Sequence, residues 1–146
     1  MIRRTIGLLW DEERKQKTGH RKQLEQMAKL ESFQDLKVWK RAHELTLGVY
    51  QLTRDFPAEE KFGLISQIRR SCSSVPTNIV EGFKRASRKD QVHFYNLAQS
   101  SLEETKYHLI LSRDLEYLKP NQYDALMLQA DEVARMLFSF IRTMAA

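Results

Sequence analysis

The chain has 146 residues, with 24 Lys and Arg against 19 Asp and Glu, a formal net charge of +5. A single cysteine excludes a disulfide framework and a cysteine-built zinc site. Five Gly and three Pro are too few for an all-β chain of tight turns, and 42% hydrophobic residues are too many for disorder. One helical domain is expected, and the positive surplus permits a polyanionic partner.

The longest apolar run near the start, Ile6 to Trp10, stops at Asp11, Glu12 and Glu13. It is shorter than a signal-peptide core of about 7–15 residues and a membrane span of about 20. The cytoplasm is therefore the expected compartment, with no membrane partner. Residues 1–26 hold seven basic and four acidic side chains, a local +3, and Thr18-Gly19 is expected to interrupt any helix there. Residues 1–32 read as an extension to a domain over 33–146. Three readings stay open for it: a flexible arm, a basic arm that grips nucleic acid, or an upstream addition to a protein that starts at Met27.

The first strong periodicity runs from Gln34 to Phe56, where Val38, Ala42, Leu45, Val49, Leu52 and Phe56 repeat at spacings of four and three. Leu36, Trp39 and Tyr50 widen this face beyond one core seam, which points to an interface. Phe56-Pro57 ends the helix, and Glu59 and Glu60 are expected in the first turn of the next. That second helix carries Ile65, Ile68, Cys72, Val75, Ile79 and Gly82 on its seam. Pro76 predicts a kink, with Ser71, Ser73 or Ser74 satisfying freed carbonyls, and Gly82 reads as a stop.

Ser87 and Asp90 resemble a capping box for a third helix that buries Phe94, Leu97, Ala98, Ser101, Leu102, Thr105 and Leu109. After the break at Pro120-Asn121, a fourth helix carries Tyr123, Leu126, Met127, Ala130, Val133, Ala134, Leu137, Ile141 and Met144. The expectation is all-α: an up-down-up-down four-helix bundle with a kinked second helix.

No reaction can be read from these residues. Di-metal bundle sites need repeated Glu-x-x-His motifs, and the chain offers only Asp90-x-x-His93 and a wrongly spaced Glu104 and His108, so neither metal nor cofactor is expected. His43 and His108 read as partly buried helix histidines, and Cys72 as a buried, unreactive thiol. Arg88 and His93, with four residues between them, resemble the Arg-x4–6-His motif of HEPN-type RNases. In that reading Arg88 steadies a phosphate and His93 moves a proton.

Charge is unevenly spread. Residues 61–89 carry seven basic side chains (Lys61, Arg69, Arg70, Lys84, Arg85, Arg88, Lys89) and one acid, Glu81, a local +6. Residues 27–60 sum to −1 and residues 90–146 to −3. Arg69, Arg70, Lys84, Arg85, Arg88 and Lys89 are the candidate nucleic-acid-binding residues, with one of the two arginines also expected to pair with a carboxylate on a neighbouring helix. Phe83 is the one aromatic among them, so phosphate or shape contacts are expected over base stacking.

The stretches FQDLKVWKRAHEL, GLISQIRRSCSSVPTNIVEGF and FYNLAQSSLEETKYHLIL resemble the four-helix-bundle proteins encoded within intervening sequences of bacterial 23S ribosomal RNA genes. The matching positions of the central motif are Gln67, Arg69, Arg70, Pro76, Asn78, Ile79, Glu81 and Gly82. The resemblance implies a homo-oligomer, specifically a ring-like homopentamer, with no assigned catalytic activity. More distantly, the chain is similar to the accessory protein of diversity-generating retroelements, which implies nucleic acid (RNA or DNA) and a protein partner such as a reverse transcriptase. Asn78 and Glu81 are expected to bond to Arg69, Arg70 or helix ends across the bundle. A protein-interaction adaptor without nucleic-acid binding is the alternative.

Overall fold

The computed structural model describes residues 2–145. It is all-α: α1 (Ile2–Ala28), α2 (Lys37–Thr53), α3 (Leu64–Phe83), α4 (Arg88–Asp114) and α5 (Pro120–Ala145), with 3₁₀ turns at Phe33–Asp35 and Ala58–Glu60. Among the described residues there is no strand. The helix expected to open at Glu59 begins at Leu64 instead, because Glu59 and Glu60 close a separate 3₁₀ turn. Glu60 still serves that helix: its Oε2 accepts from the Leu64 amide at 2.8 Å, one of the donors the helix start leaves unsatisfied.

Helix α2 packs on α3 and α5, and α4 packs on the same two, so contacts close into a cycle, while α1 touches α5. The core is the inner seam of the cycle, from Val38, Ala42, Leu45 and Val49 through Ile68, Cys72, Val75 and Ile79 to Leu102, Leu109, Val133 and Leu137. Leu36 and Trp39 belong to this body and not to an exposed patch. Leu36 is buried, and Trp39 packs edge-on to Phe33 and stacks on an exposed His43.

The seam of α4 differs from the expected one. Phe94 is half-buried and Leu97 exposed, while Tyr95 leads a seam through Ala98, Leu102, Thr105, Leu109 and Ser112. The cause lies on α3. A Cβ on Gly82 would stand 2.5 Å from Tyr95 Cε1, so only glycine admits the ring. The ring then meets Phe140 of α5 edge-on at 4.8 Å. The helix does end here, at Phe83, one residue beyond Gly82, but not through a left-handed glycine cap, since no described glycine has positive φ.

Two further expectations change, the serines serving freed carbonyls near Pro76 and the interruption at Thr18-Gly19. Helix α3 runs unbroken through Pro76, and the Cys72 carbonyl that proline leaves without a donor is approached at 3.3 Å by Thr46 Oγ1 of α2. The α3 serines bond elsewhere, Ser71 to Ile68 and Ser73 to Arg70 carbonyls. Helix α1 passes Thr18-Gly19 without interruption: Thr18 Oγ1 donates to the Arg14 carbonyl at 2.7 Å, a bond made within the helix, and glycine lowers helix stability without ending it.

The Gly82–Tyr95 contact predicts that Gly82→Ala lowers stability, by about 1–3 kcal/mol as in overpacked cores, despite alanine's better helix propensity. Urea unfolding checks this, and Gly82→Ala combined with Tyr95→Leu is expected to lose less than the two separate costs together.

Candidate nucleic-acid interface

The six predicted cations fall into two groups. Arg70 and Lys84 are fourteen positions apart along one helix, about 20 Å at 1.5 Å per residue. Arg69 and Arg70 lie in the first half of α3, and Lys84, Arg85, Arg88 and Lys89 surround the turn into α4.

Both arginines of the first group are engaged in the fold. Arg69 Nε donates to Thr53 Oγ1 at 2.9 Å and Nη2 to the Tyr50 carbonyl at 3.4 Å, with its guanidinium 4.7 Å from the Tyr50 ring centre. Thr53 ends α2, so Arg69 places a cation on the negative end of that helix. Arg70 pairs with Glu104 of α4 and donates to Gln67 Oε1 at 3.1 Å. A carboxylate on a neighbouring helix was expected and Glu104 supplies it, although a partner 34 positions away leaves no trace in local sequence. Asn78 and Glu81 reach neither arginine. Asn78 Nδ2 donates to the Ser74 carbonyl and hydroxyl, and Glu81 pairs with Arg85.

Around the turn, Ser87 Oγ accepts from the Asp90 amide at 3.1 Å, the expected cap that starts α4. Gln91 Nε2 donates to the Arg85 carbonyl at 3.0 Å and closes the loop. Arg85 lies over Phe94, 4.4 Å from the ring centre, and 3.1 Å from Glu81 Oε2. Lys84 sits 5.9 Å from the Phe83 ring centre. Among the described residues Lys84, Arg88 and Lys89 are exposed and make no ion pair. Arg88 and Lys89 occupy the first turn of α4, where the helix dipole adds positive potential to their own charge, so an anion there relieves repulsion.

The RNase pair is not brought together. Arg88 and His93 are five positions apart on one continuous helix, about 140° around its axis. His93 is exposed and edge-on to Phe94. Cys72 is fully buried, donates its S–H toward Thr46 at 3.6 Å, and is pushed up by burial to about 11. No group of three His, Cys, Asp or Glu side chains is arranged for a metal among the described residues, and none of their helices is long and apolar enough to cross a membrane.

His108 does have buried partners. Its Nδ1 lies 3.3 Å from Ser71 Oγ, which in turn accepts from Thr105 Oγ1 at 3.1 Å. Burial lowers the imidazole below the ordinary histidine range; Glu104 pulls it up and Arg70 lowers it again. The folded state thus favours neutral His108, and its contribution is present above the unfolded pKa of about 6.5. That contribution is lost as pH falls through the lower folded pKa. Urea midpoints are expected to drop as pH is taken from 7 to below 6, and less steeply in His108→Gln.

Residues 34–139 match the family described as 23S rRNA-intervening sequence protein. Among solved structures, the chain resembles one from Bacteroides thetaiotaomicron, described as a protein with unknown function from the S23 ribosomal protein family. Identity is 28% and the TM-score 0.65, over 71% of this chain and 97% of that one. No curated protein matches.

Proposed function

The chain belongs to the 23S rRNA-intervening sequence protein family, and on that premise we propose that it is a non-enzymatic, homo-oligomeric four-helix bundle binding RNA or another nucleic acid at its α3–α4 turn. The bundle in this reading is α2 to α5, up-down-up-down, with α3 bending at Pro76. Support comes from the closed cycle of contacts and from opposed residue order along them: Ser71 meets Thr105 where Gly82 meets Tyr95, and Lys106 meets Asp131 where Tyr95 meets Phe140.

The observation that carries the function is the turn itself. Four cations stand within six positions, and Arg85 alone among them has a carboxylate partner among the described residues. Such a surface neutralises phosphates without reading bases. Arg69 and Arg70, occupied by the end of α2 and by Glu104, act here as structure. A non-enzymatic role accords with Arg88 and His93 facing different sides of α4.

Self-association is supported by large apolar side chains that the monomer leaves uncovered: Leu47, Tyr107, Leu128 and Phe138 are each more than half exposed. A ring, five-membered in the reading from resemblance, repeats the basic turn and raises avidity. The adaptor alternative, with a protein such as a reverse transcriptase as partner, predicts the same exposed side chains and no dependence on the turn.

RNA affinity is expected to fall steeply with salt, and changing Lys84, Arg85, Arg88 and Lys89 together to Ala lowers the log–log salt slope by about 3, at roughly 0.7–0.9 per phosphate contact. Arg69→Gln lowers stability and leaves that slope alone. Anisotropy of labelled RNA across a salt series checks both, and an unchanged slope in the quadruple variant returns the adaptor reading. Light scattering is expected to give several times the 17.3 kDa of one chain; a monomer at micromolar concentration refutes assembly.

A further inference from the structure

Helix α1 packs on α5 by its last two turns only. Thr143 Oγ1 donates to Gln23 Oε1 at 3.2 Å, and Leu24, Met27 and Leu30 pack against the core. Since α5 ends at Ala145, the stretch of α1 before about Gly19 runs past that end of the body, and residues 7–19 are exposed throughout. The α3–α4 turn lies at the same end: Arg88 and Lys89 share a groove with Met144 and Ala145.

The two elements meet in a second groove of about 520 Å³, where Leu24 and Ala28 of α1 face Phe83, Lys84, Arg88 and Tyr95. Counting back from Ala28 along the helix at spacings of four and three gives Leu24, Arg21, Lys17, Arg14 and Trp10. That spacing keeps all six on one face. The flank of α1 that walls the groove beside Lys84 and Arg88 therefore continues outward as three cations and then an indole. Arg14, Lys17 and Arg21 are exposed, and Trp10 is 60% exposed. The acids Asp11, Glu12 and Glu13 lie outside this seam. Arg21 has an ion pair to Glu25 at 3.0 Å, with both side chains more than half exposed, a kind of pair that exchanges at little cost.

We propose that this stripe of α1 is the second half of the interface, and that its occupant is a single strand of nucleic acid. The phosphates run along Arg21, Lys17 and Arg14 from the cations of the α3–α4 turn, and a base stacks on Trp10. Charge complementarity selects a polyanion. The exposed indole in register with the cations selects an unpaired strand, because only unpaired bases offer a free face to stack. This inference rests on the polyanion reading of the turn and adds what the turn lacks, an uncovered aromatic: Phe94 is covered by Arg85, and Phe83 is half-buried.

The test uses the full chain with oligouridine and oligothymidine of about 12 nucleotides, within the site sizes of such surfaces. The chain has two tryptophans, so Trp39→Phe leaves Trp10 as the sole indole. Its emission is expected to be quenched by either oligonucleotide. In the otherwise unchanged chain, Trp10→Ala is expected to weaken anisotropy-measured binding about five- to hundredfold, the range of one lost stacking contact. Arg14, Lys17 and Arg21 changed together to Ala flatten the salt slope further. If the turn variant loses binding while both α1 variants bind like the unchanged chain, this inference falls and the turn reading stands. If the unchanged chain binds neither oligonucleotide, this inference falls, and the turn reading is decided by the salt series with labelled RNA. An indole emission that shifts with protein concentration alone puts a second copy on the stripe and also overturns the inference.

Discussion

Helices α3 and α4 approach one another more closely than leucine-sized side chains would permit, and much else in the molecule depends on that approach. At one end Gly82 leaves room for the Tyr95 ring; further along, Ser74 meets Ser101 at 2.9 Å, and Thr105 meets Ser71 at 3.1 Å. Small residues with hydroxyls can do both things a tight contact needs, bringing backbones together while leaving no buried side-chain polar atom unpartnered among the described residues. The contact also fixes register. With Tyr95 seated over Gly82, Arg70 comes opposite Glu104 and His108 comes onto Ser71. The short turn between the helices is then held by Ser87 and Gln91, with its cations facing out.

The same geometry separates charges that sit close in the sequence. A local +6 over residues 61–89 suggests one patch, yet a continuous helix carries its early and late residues to opposite ends of the body. Arg69 stabilises the end of α2 and Arg70 crosses to α4, so neither is free in the way the turn cations are. Conversely, α1 lies far away in sequence but emerges beside the turn, because its last turns pack on the end of α5. Charge that was split along the chain is collected at one end of the fold.

Helix content, most helix limits, the Ser87 cap and the core rows of α2, α3 and α5 are legible in the sequence, because each follows from periodicity or from a neighbour within four positions. The α4 row is the exception. Phe94, Leu97 and Tyr95 lie close together on that helix, and hydrophobicity ranks the first two above tyrosine. What decides for Tyr95 is a missing Cβ on another helix, which no reading of α4 contains.

The site divides along the same line. Sequence alone determined that cations concentrate before and after Gly82, and that family motifs run through them. Only the tertiary structure decided which cations hold the fold and which face solvent, since Thr53, Tyr50 and Glu104 lie sixteen or more positions from the arginines they engage. It likewise decided that Thr46, on α2, covers the carbonyl Pro76 exposes. Local pattern fixes which face of a helix is apolar; what a polar group on that face meets depends on how the helices are set against each other.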